Sequence, residues 1–128
     1  MEVKGKYVIG FDTVCDGNQT STDENELPVL YDSHKEAMTE LFSDAIAGLE
    51  GTDEDYLNEN GITDKTIEKM KTLLASGDVD KMEAFLNKKP ECNYYEDFVE
   101  KAEDFILGRK AIFTGQGIVI EGTKLEDL

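Results

Sequence analysis

The sequence predicts a small α+β protein. Three observations lead there: β-branched and aromatic segments stand near both ends, the long stretch between them has helical periodicity, and strands do not alternate with helices as a βαβ sheet requires. At 128 residues the chain has the size of one ordinary domain. No linker or internal repeat divides residues 1–128, so one acidic domain is expected.

The first strand is expected over residues 4–14, where Tyr7, Val8, Ile9, Phe11 and Val14 have strong β propensity. Residues 16–26 contain no apolar side chain, and a mobile loop is expected at about 15–27. It becomes a hairpin tip if residues 29–31 pair back onto the first strand. A helix then starts at Ser33 as N-cap, with Glu36 closing a capping box. Ala37, Met38, Leu41, Phe42, Ala45, Ile46 and Leu49 recur at helical spacing and define its buried face. Gly51 stops it.

Residues 52–55 repeat the capping pattern and open a short helix ending near Asn60 and Gly61. The next helix starts at Thr63 or Asp64, turns Ile67, Met70, Leu73 and Leu74 inward, and ends at Gly77. Asp78 caps another, with Val79, Met82, Phe85 and Leu86 inward, which Pro90 terminates. A last helix is expected from Asn93, with Tyr95, Phe98, Val99, Ala102, Phe105 and Ile106 on its buried face and Gly108 past its end. Residues 110–114 and 118–121 flank Gly115-Gln116-Gly117 and read as a β-hairpin. The expected architecture is a small, mostly antiparallel sheet from the N-terminal strands and the C-terminal hairpin, covered by four or five helices, with a loose tail at 123–128.

Charge is the unusual property. The chain has 29 Asp and Glu against 13 Lys and Arg, a formal net charge of −16. Direct binding of nucleic acid is excluded on this ground, because phosphates require basic groups to neutralise them. Arg109 is the single arginine. No segment approaches the roughly 20 apolar residues of a membrane-spanning helix, and the N-terminal residues lack a signal-peptide apolar region, so a cytoplasmic protein is expected. Cys15 and Cys92 have no metal or redox spacing and read as reduced thiols.

Motifs for chemistry are weak. Asp12, Asp16, Gly17 and Asp23 match parts of a calcium loop, but Val14 occupies the third ligand position and a strand precedes it, so an ordinary acidic loop is the better interpretation. The Gly-x-Gly at 115–117 opens no helix and is a hairpin turn rather than a phosphate cradle. His34, the sole histidine, falls in the first turn of a capped helix, and no nucleophile motif surrounds it or either cysteine. No catalytic residue, cofactor or metal site is expected.

The acids are unevenly placed. Residues 12–59 hold 14 acids and one base, Lys35, and so carry 13 of the 16 net negative charges. In the expected last helix, Glu96, Asp97, Glu100, Glu103 and Asp104 crowd the solvent face, with Glu96/Glu100 and Glu100/Asp104 as like charges at i, i+4 spacing. Acids spaced about 6 Å along a helix resemble the charges of a nucleic-acid strand. The expected function is therefore a non-enzymatic interaction protein whose acidic surface engages a basic protein partner, with nucleic-acid mimicry as one form. Candidate contact residues are Glu96, Asp97, Glu100, Glu103 and Asp104, together with Asp53, Glu54 and Asp55. In size and acidity the chain is similar to small counter-defence proteins of phages and plasmids, though no motif assigns it to a family. The alternatives are an accessory domain, monomeric or homodimeric, that is acidic only for solubility, and an enzyme with an unrecognised site.

So large an excess of one sign destabilises the compact state through self-repulsion. Moderate salt should therefore raise the melting temperature by screening. Thermal melts at low and moderate ionic strength test this, and a melting temperature that falls with added salt contradicts it.

Overall fold

The computed structural model describes residues 5–13, 17–21, 29–104, 112–114 and 117–119. It is an α+β structure, divided into two compact units: residues 1–37 with 97–128, and residues 38–96.

The first unit is built on a three-stranded antiparallel sheet of order β2-β1-β3. Strand β1 (Tyr7–Thr13) pairs with β2 (Gly17–Thr20) on one edge and β3 (Phe98–Lys101) on the other. Consecutive residues of a strand face opposite sides, and both Val8 (0 % exposed) and Ile9 (2 %) are buried. Strand β1 is therefore covered on both faces, as its run of adjacent apolar residues implies. Tyr31 extends the β2 side by an isolated antiparallel bridge to Tyr7, with reciprocal N–H to carbonyl bonds of 2.9 Å. Of residues 29–31, Tyr31 thus makes the pairing onto the first strand that is the alternative to a mobile loop. Part of the expected loop is thus strand: Gly17 to Thr20 form β2, while residues 14–16 and 22–28 lie outside the described residues.

Strand β3 corrects the expectation of a last helix beginning at Asn93. Phe98 to Lys101 are extended, in register with Gly10 to Tyr7. The run Phe98-Val99-Glu100-Lys101 fits a pleated surface as well as a helical face, and the open edge of β1 decides between them. Residues 102–104 then turn helical. Phe105, Ile106 and Gly108 lie outside the described residues, as does the tail at 123–128. The C-terminal hairpin forms with β4 (Ile112–Thr114) and β5 (Gly117–Val119) in antiparallel register. It is its own two-stranded ladder rather than part of the three-stranded sheet.

Helix α1 (His34–Gly51) starts as expected: Ser33 Oγ accepts the Glu36 N–H at 3.1 Å. The reciprocal arm lands one residue earlier than in a standard capping box, the Glu36 carboxylate accepting the Asp32 N–H at 3.1 Å. All seven apolar positions of its predicted face are buried. From Met38 onward that face belongs to the second unit.

The second unit continues with α2 (Glu54–Glu59), α3 (Asp64–Ser76), α4 (Val79–Lys88) and a 3-10 turn (Pro90–Cys92). Each α-helix has a side-chain N-cap. Asp53 accepts from Tyr56 N–H, Asp78 accepts from Lys81 N–H, and Thr63 and Thr66 form a reciprocal box. Gly77 ends α3 in the left-handed conformation, φ 72°. Met70, Met82, Phe85, Leu86 and Cys92 join the α1 stripe in the core. The Phe85 ring packs edge-to-face on Phe42, centroids 6.1 Å apart. Among the described residues no helix is long and apolar enough to cross a membrane.

Phe42 is fully buried. Truncating a buried phenylalanine typically costs about 3–5 kcal/mol, a large share of the stability of a small domain. Phe42→Ala should unfold or nearly unfold the second unit in urea titrations, and a midpoint shift too small to measure would contradict this packing.

Candidate functional site

The exposed large apolar side chains among the described residues are Tyr94 and Tyr95. Their position follows from the end of α4. Pro90 blocks continuation of the helix, and the 3-10 turn it opens buries Cys92. Residues 93–96 then close a four-residue turn, the Glu96 N–H donating to the Asn93 carbonyl at 2.9 Å. Asparagine is favoured at the first position of such turns. The two tyrosines occupy the corners, 42 % and 56 % exposed.

Tyr56 of α2 completes the cluster. Its ring stands edge-to-face on Tyr94 at 4.9 Å, and Tyr94 stands likewise on Tyr95 at 5.2 Å. The Tyr56 hydroxyl donates to the Glu91 carbonyl at 2.8 Å, tying α2 to the 3-10 turn. Tyr95 lies against α1 at Gly48, where a Cβ would come within 2.8 Å of the ring atom Cε2. Only glycine leaves room for the ring in this position.

Acids adjoin the cluster along the chain. Asp53, Glu54 and Asp55 are exposed immediately before Tyr56. Glu96 directly follows Tyr95 and is held in the left-handed region, φ 54°. For a residue with a Cβ that conformation costs roughly 1–2 kcal/mol. Burial raises the Tyr56 pKa above the ordinary phenol value, with further contributions from Tyr94, Cys92, Glu91 and Glu96. The carboxylates of Glu91 and Glu96 are thus close enough to disfavour a phenolate at Tyr56. Burial also raises the Cys92 thiol, which Glu91 reinforces and Lys89 opposes.

Charge within the unit is sorted by element. Residues 38–64 carry eight acids and no base, whereas all six lysines of the unit lie between 65 and 89. Lys71 is held by Glu50 and Glu68, Lys81 by Asp78, and Lys69 and Lys89 stand over the Phe85 ring.

Of the residues expected at a partner contact, Glu96 directly follows the exposed pair, and Asp53, Glu54 and Asp55 directly precede Tyr56 at the start of α2. The other four belong to the first unit. Their expected row on a helix does not exist, because Phe98–Lys101 is a strand. Asp97 is half-buried. Glu100 is opposite Val8 in the sheet, and its Oε2 is buried. Glu103 accepts the Gly5 N–H at 2.9 Å. Asp104 is exposed. Glu96, Glu100 and Asp104 therefore share no helical face, and the spacing argument for nucleic-acid mimicry is lost with the helix. Tyr95, expected to be buried, is instead exposed.

Tyr56, Tyr94, Tyr95, Gly48 and Glu91 were not among the expected site residues. Their two sequence signals are a Tyr-Tyr pair after an Asn and shortly after a helix-stopping proline, and a glycine inside an otherwise strong helix. Among the described residues, no group of three or more His, Cys, Asp or Glu is arranged to hold a metal ion. His34 packs edge-to-face on Tyr7 at 6.0 Å. Searches against protein-family models, curated proteins and solved structures found no match to this chain.

The raised pKa values of Cys92 and Tyr56 make stability dependent on alkaline pH. Both groups hold their protons more tightly folded than unfolded. The stabilisation is therefore complete below the unfolded pKa and is lost as pH rises through the folded value. The melting temperature should decline above about pH 8.5 for the thiol and further above about pH 10 for the phenol. Cys92→Ala and Tyr56→Phe should each flatten their part of the decline. A profile that neither substitution changes would refute the assignment.

Proposed function

We propose that this protein is a non-enzymatic interaction protein whose acidic surface on the second unit engages a basic protein partner. The observation that carries this is the exposed tyrosine pair, followed directly by Glu96 and joined by Tyr56, which itself follows the exposed Asp53, Glu54 and Asp55, on a unit whose first 27 residues, 38–64, carry no base. Binding energy at protein interfaces concentrates in a few residues, and tyrosine is enriched among them. Surrounding charge of one sign steers a partner of the other and raises the association rate more than it raises affinity. A solvated surface whose acids serve solubility alone gives no reason to expose two adjacent aromatic rings among them.

The basic partner can itself be a nucleic-acid-binding protein, whose groove is the natural complement of a negative surface. That form of the proposal rests on net charge alone.

The test is affinity capture from a native-host extract, with wild-type protein and the variant Asp53→Asn/Glu54→Gln/Asp55→Asn/Glu96→Gln. Asparagine caps helices as well as aspartate does, so α2 is preserved. Wild type should retain proteins with basic surfaces at low salt and release them as salt rises, because exposed charges are screened over about 8 Å at physiological ionic strength. The variant should retain few of them. An identical retained set for the variant, insensitive to salt, would overturn the proposal.

A further inference from the structure

We infer that the Tyr56–Tyr94–Tyr95 cluster is a receptor for an arginine side chain presented by the basic partner; this rests on the interaction reading above and gives it a chemical specificity. Successive rings are nearly perpendicular, at 88° and 81°, so Tyr94 and Tyr95 present faces in different directions and remain 42 % and 56 % exposed. The negative face of an aromatic ring attracts a cation within about 6 Å of its centroid. Lys69 and Lys89 make such contacts at Phe85, 5.8 and 5.9 Å from its centroid. None of the described lysines is recorded over the rings of Tyr56, Tyr94 or Tyr95.

Arginine fits this surface better than lysine. A half-exposed ring does not strip the tightly held water from an ammonium, whereas a guanidinium is planar, weakly hydrated and stacks on aromatic faces. The carboxylate of Glu96, next to Tyr95, supplies the acceptor that guanidinium N–H groups pair with. The turn holds this residue in a conformation that glycine would adopt at less cost. A second copy of this chain is a poorer occupant, since it would bring Asp53, Glu54, Asp55 and Glu96 against like charges.

The experiment uses two blocked peptides of equal length and charge, one alternating glycine with arginine and the other glycine with lysine. Binding is followed at low salt by tyrosine fluorescence, which the absence of tryptophan leaves unobscured, and by calorimetry. Wild type should bind the arginine peptide about threefold or more tightly than the lysine peptide, in line with cation–π contacts at exposed sites. Tyr94→Leu/Tyr95→Leu keeps apolar bulk and should abolish the preference while leaving the weaker, charge-driven binding. Gly48→Ala should reduce the preference without loss of fold, because the new methyl displaces the Tyr95 ring while alanine favours the helix. Asp53→Asn/Glu54→Gln/Asp55→Asn should weaken both peptides alike. Equal affinity of the two peptides for wild type, or a preference that survives loss of both tyrosines, overturns the arginine receptor and leaves the basic-partner reading standing. Binding of neither peptide overturns both.

Discussion

The buried face of α1 is the constraint on which the second unit depends. A chain with this charge excess repels itself in every compact state. Like-charge neighbours on a helix cost only a few tenths of a kcal/mol each, whereas fully burying one Leu, Phe or Met side chain contributes about 1.5–3 kcal/mol. Leu41, Phe42 and Leu49 lie on α1 and are essentially inaccessible, as are Met70 and Met82 on the helices that follow. The apolar effect therefore wins in aggregate, and the acids are tolerated wherever they stay wet.

Ion pairs have a smaller part. Lys71 lies 3.4 Å from Glu50 and 3.8 Å from Glu68, with all three side chains substantially exposed, and surface pairs of this kind are worth about 0–1 kcal/mol. Their consequence is more one of placement. With the six lysines of the unit confined to residues 65–89, residues 38–64 carry eight acids and no base of their own, Glu50 being paired with Lys71, and Gly48 and Tyr56 of this segment adjoin the exposed tyrosines. The same segment is thus apolar where it faces the core and acidic where it faces solvent, and the exposed rings come to it from the turn after α4.

What was legible in the sequence was local. The α1 stripe, the caps at Ser33 and Asp78, the helix starts within 52–55 and at 63–64, the stops at Gly77 and Pro90, and the two strands of the C-terminal hairpin all depend on residues within one or two turns of each other. Residues 93–104 were not legible, because Tyr95, Phe98, Val99 and Ala102 satisfy helical spacing while Phe98 to Lys101 also suit a strand. The deciding partner, β1, is about ninety residues away in sequence, and no local pattern reports the open edge of a distant strand. The candidate site was half legible for the same reason. The acids at 53–55 could be read as a cluster, but the convergence of Tyr56 with Tyr94 and Tyr95 depends on how α2 packs on the turn after α4. The value of Gly48 emerges only when a ring is found where its side chain would be.

Glu96 has a consequence for how this protein would respond to selection. Its left-handed backbone is one that glycine or asparagine adopts with little penalty. A population evolved in the laboratory for heat resistance alone would tend to exchange this glutamate early, since strained positions are where stabilising substitutions are most readily found. The variants that survived would be sturdier and would have one fewer carboxylate beside the exposed rings, so heat resistance and partner recognition would pull this single position in opposite directions.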